Sequence, residues 1–91
     1  FICPKDGTYA KILSNMEEVK ARGGNIIAIV NEDDSSISKL ANHIIKVPKT
    51  TDLLSPLINV IPLQLLAYHI ADLKSLNVDK PRNLAKSVTV E

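Results

Sequence analysis

The sequence has one cysteine, no tryptophan, no run of charges of one sign longer than the three acids Glu32-Asp33-Asp34 and no uninterrupted apolar run long enough to span a bilayer. A single Cys3 excludes an intrachain disulfide, and without a C-x-x-C pair or a Cys/His cluster there is no metal-ligating pattern. A reducing, cytoplasmic setting is expected. The eleven Lys and Arg are interspersed with ten Asp and Glu for a formal net charge of +1, so no footprint for nucleic acid or an anionic membrane is present. The longest apolar stretch is broken by Pro56, Asn59, Pro62 and Gln64, and is expected to be too polar and interrupted for a membrane span of about 20 residues. There is no internal repeat or low-complexity segment, and no signal peptide is expected. Phe1-Ile2-Cys3-Pro4 lacks an initiator Met and looks like the tail of a buried strand, so the expectation is a chain that begins inside a larger polypeptide.

What is present is ordinary for a folded protein: 45% hydrophobic and 23% charged residues over 91 positions. A chain this short buries only roughly 60–65% of its unfolded surface, which makes independent stability doubtful. Tyr9, Ile12, Leu13, Met16 and Val19 recur at helical spacing, and Gly23-Gly24 after Lys20 and Arg22 predicts the helix end. Asn25 to Val30 is a continuous apolar run that suits a parallel strand covered on both faces. A polar loop from Asn31 to Ser36, a short helical pattern from Ile37 to Ala41 and a second apolar run from His43 to Val47 follow, with Pro48 ending that strand. Ser55 as N-cap and Pro56 as first helical residue open a long helix to about Lys74, with a kink or restart expected near Pro62. Its second segment, with Leu65, Leu66, Tyr68, His69, Ile70 and Leu73, predicts burial against both a sheet and a neighbouring element. The alternation is that of a parallel α/β sheet, about half of a domain.

The stretch Pro62-Leu-Gln-Leu-Leu-Ala-Tyr-His69 and the ending Asp79-Lys-Pro-Arg-Asn-Leu-Ala-Lys-Ser-Val-Thr-Val-Glu91 closely resemble the C-terminal end of glucosamine-6-phosphate synthases. Met16-Glu-Glu-Val-Lys-Ala-Arg-Gly-Gly24 resembles that family less specifically. The resemblance implies a partial, flavodoxin-like sugar isomerase (SIS) fold: residues 1–76 the C-terminal part of the second of two SIS subdomains, and 77–91 an ordered tail completing the sugar site. It implies an enzyme that aminates fructose 6-phosphate with ammonia from glutamine and isomerises the product to glucosamine 6-phosphate, with no cofactor and no metal. The remaining chain, including the glutaminase domain, is an implied partner, together with further copies in a homodimer or larger homo-oligomer.

By the same resemblance, Lys86 lies at the sugar site and assists ring opening and reaction at the carbonyl, chemistry that a primary amine can supply through a Schiff base or by stabilising oxyanion charge. Ala85 comes with it as a backbone contact to the sugar. On sequence position alone, a lysine five residues from the end is a solvated charge. The family's Ser/Thr-rich phosphate loop, general-base glutamate, ring-opening histidine and glutamine-hydrolysing cysteine are expected upstream, since no S-x-S-G-x-T segment occurs here. His69 and His43 are expected to be structural, Tyr9 and Tyr68 core residues with boundary hydroxyls, Cys3 a small buried hydrophobe, and Glu32-Asp33-Asp34 a solvated turn. The competing readings are a non-catalytic SIS module that senses a phosphosugar and a piece serving only oligomerisation.

Overall fold

Strand β2 (Ile27–Asn31) is the centre of the molecule, and its burial explains its composition. Ala28, Ile29, Val30 and Asn31 are all buried in succession, so both faces of the strand are covered, and a run without polar alternation is what such a position requires. The computed structural model describes residues 1–80. In it β1 (Ile2–Cys3) and β3 (His43–Val47) flank β2 in the order β1-β2-β3, both pairings parallel. Register sets Cys3 opposite Val30 and Ile44 opposite Ala28. Parallel neighbours need crossovers. Helix α1 (Tyr9–Ala21) supplies the first, and the loop containing the short 3₁₀ helix Ser36–Lys39 supplies the second.

One side of the sheet carries the core. Cys3, Ala28 and Val30 meet Met16 from α1, Ile26 and Ile37, with Tyr9, Ile12, Leu13 and Ile44 packed around them. Each fully buried large side chain there stabilises the fold by about 1.5–3 kcal/mol. The expected α1 stripe is therefore observed, except that Val19 at its end is 37% exposed. Helix α1 ends as the glycine pair predicts. Gly23 adopts φ 78°, its N–H bonds to the Lys20 carbonyl, and the Gly24 N–H bonds to the Val19 carbonyl at 3.0 Å. That paired pattern closes the last turn around a left-handed residue.

Helix α2 (Ser55–Leu73) follows β3 and packs against it. Three expectations, about its cap, its continuity and its burial, are corrected here. Leu54, not Ser55, is the N-cap, because a preceding turn already takes the Ser55 N–H to the Thr51 carbonyl, and the Ser55 hydroxyl accepts from Asn59 Nδ2 at 2.8 Å. The helix runs through Pro62 as one element, so the restart is not observed, and the proline has no N–H to donate to the Ile58 carbonyl. Last, α2 is not buried on two sides among the described residues: Asn59 alone is buried, while Leu57 is 64% and Leu73 85% exposed. By length and composition α2 also reaches the range of a membrane-crossing helix, contrary to the reading of its prolines and amides as disqualifying, because Pro62 does not break it and Asp72 is its single charge. The helix ends with Ser75 at φ 54° and with the Leu76 N–H on the Ala71 carbonyl, the same closure as α1 but on a serine.

Candidate functional site

In an open parallel sheet, ligands bind in the crevice beyond the carboxyl ends of the strands. The loops leaving β1, β2 and β3 meet at that edge. The Lys5 N–H donates to Asn31 Oδ1 at 2.8 Å, tying the first loop to the end of β2, and Lys5 Nζ donates to the Asp33 carbonyl at 3.1 Å. Lys5 and Lys49 each bring an ammonium within 4 Å of the same Asp33 oxygen, at 3.7 and 3.9 Å. The Glu32 N–H bonds to the Val47 carbonyl, joining the second loop to β3. These exposed ion pairs contribute at most about 1 kcal/mol each, so the backbone-anchored bonds do more to fix the edge.

Beneath it, Tyr9 at the start of α1 donates its hydroxyl to Asp34 Oδ2 at 2.6 Å, and the Ser36 N–H donates to Asp34 Oδ1 at 2.8 Å. Asp34 is buried, which corrects its reading as part of a solvated turn. Burial works to raise its pKa, but the Tyr9 and Ser36 hydrogen bonds and the Lys5 charge outweigh burial and hold the carboxyl below its usual range. Burial pushes the Tyr9 hydroxyl up, and its bond to Asp34 adds to the shift. Cys3 is pushed up to about 11, first by burial and then by the Asp34 and Asp6 charges. It stays a thiol at neutral pH, a packing residue rather than a nucleophile.

Beside this network an open cleft of about 400 Å³ separates the start of α1 from the first half of α2. Its walls are apolar, from Ile2, Ile12, Pro56, Val60 and Leu63, and its polar lining includes Asp6, Thr8, Asp52 and Asn59. Asp6 accepts both the Thr8 N–H and the Thr8 hydroxyl, which hold its carboxyl below the usual range. With two carboxylates and no cation among the described residues of its lining, that lining is unsuited to a phosphate group.

Ala85 and Lys86, the residues assigned to the sugar site by resemblance, lie outside the described residues, as does most of the expected ordered tail. His69 is exposed on α2 with its ring edge-on to Tyr68 at 5.4 Å, so neither it nor the 49% exposed Tyr68 is the core residue expected. His43 is an exposed strand residue, and Tyr9 is the boundary tyrosine anticipated. The Asp34 clamp and the cleft were missed. The signal for the first was an acidic loop directly after a buried strand, paired with a tyrosine at a helix start; the cleft has no signature in sequence.

Residues 1–73, from β1 to the last residue of α2, match the family model for the SIS domain. The chain belongs to the SIS domain family. This SIS chain is 57% identical over 90 residues to a glutamine–fructose-6-phosphate aminotransferase [isomerizing] of Chlorobaculum tepidum and 57% identical to the protein of that name from Bacteroides thetaiotaomicron. The corresponding Thermus thermophilus protein is 56% identical over 90 residues. Each alignment covers 99% of this chain and 15% of the relative, so the SIS chain spans about 15% of the length of the relatives it matches.

Proposed function

We propose that this SIS chain is the C-terminal part of a glutamine–fructose-6-phosphate aminotransferase, serving the amination and isomerisation of fructose 6-phosphate to glucosamine 6-phosphate. The observation that carries the reading is where the likeness extends. The SIS match ends at residue 73, yet the identity with the aminotransferases spans 90 of 91 residues and so takes in nearly all of the segment beyond. A module that only senses a phosphosugar shares the fold but has no reason to share that segment.

In this reading residues 1–76 complete the second SIS subdomain, and 77–91 carry Ala85 and Lys86 to the sugar. Lys86 acts at the carbonyl carbon, while a base elsewhere in the polypeptide moves the proton between neighbouring carbons. The absence of a phosphate loop and the acidic cleft both support placing phosphate recognition outside this chain. The glutaminase portion belongs to the rest of the same polypeptide, which works in the cytoplasm as a homodimer or larger homo-oligomer. The deciding experiment is an assay of the full-length polypeptide for glutamine-dependent formation of glucosamine 6-phosphate. Sugar phosphate binding without turnover would replace the enzyme with a sensor.

A further inference from the structure

We draw no further inference here: the strongest candidate, the open cleft between the start of α1 and the first half of α2 together with the exposed stripe Leu57, Ile61, Leu65 and Tyr68 of that helix, carries nothing because nothing in the structure shows what covers either.

Discussion

Tyr9 and Asp34 are 25 residues apart in sequence and 2.6 Å apart in the fold, and between them they fasten the start of α1 to the loop after β2. The carboxyl of Asp34 is lowered in the folded state, so its contribution to stability is present above the ordinary aspartate value of about 3.9 and is lost as pH falls through the lowered folded value. Tyr9→Phe leaves a buried carboxylate without its hydroxyl donor, a loss of about 1–3 kcal/mol. Hydrogen exchange at the Ser36 amide, whose N–H is held by Asp34, should report that loss at pH 7 and a smaller one as pH falls through the lowered folded value and Asp34 takes up its proton. A penalty independent of pH would mean that the tyrosine ring, not its hydroxyl, matters. Lys86 is a residue of a different kind, assigned by resemblance alone. In the full-length polypeptide Lys86→Arg retains charge but loses the compact amine, so sugar conversion should fall steeply while basal glutaminase activity persists. Synthesis within about twofold of the unmodified protein, less than one kcal/mol in barrier, would remove the assignment.

Among the elements, those whose signals are local were legible. The α1 stripe, the glycine stop and the span of β3 follow from side chains reading their immediate neighbours. Gly23→Ala places a Cβ at φ 78° and should cost about 1 kcal/mol, seen as faster amide exchange in the last turn of α1; Gly24→Ala, whose Cβ would run into Val19, should cost more. Equal and negligible effects at both would show that the turn does not hold α1. The start of α2 was misjudged because the side chain of Ser55 is claimed by Asn59 one turn later, a competition that cap preferences do not contain. Pro62 illustrates the same limit from the other side, since one missing hydrogen bond does not outweigh 19 residues of helix. The candidate site was less legible than the fold. The three lysine and aspartate loops come together only once the parallel register is set, and the family motif in the tail names residues without saying what surrounds them.

At the scale of the whole molecule the apolar surfaces are distributed as in a part, not a finished domain. Among the described residues the three-stranded sheet is open beside β1, and Leu53, Leu57 and Leu73, at 88%, 64% and 85% exposure, crowd one helix and the turn leading into it. Exposed apolar area of this kind has about 25 cal/mol per Å² to gain from leaving water. A chain of 91 residues held apart from its parent can realise that gain only by associating with itself. The prediction for the isolated chain therefore has two parts. It should show no glutamine-dependent synthesis, since in the proposed reading the phosphate loop, the base and the glutaminase that the reaction requires belong to the remainder of the polypeptide. It should also sediment as a concentration-dependent mixture of oligomers. Leu57→Lys with Leu65→Lys should shift that mixture toward monomer, because both charges fall on the outward stripe of α2 and leave the core around Met16 untouched. Turnover by the isolated chain would sink the first part. A monodisperse monomer at all concentrations would sink the second, and would mean that the open sheet edge and the α2 stripe are tolerated by water as they stand.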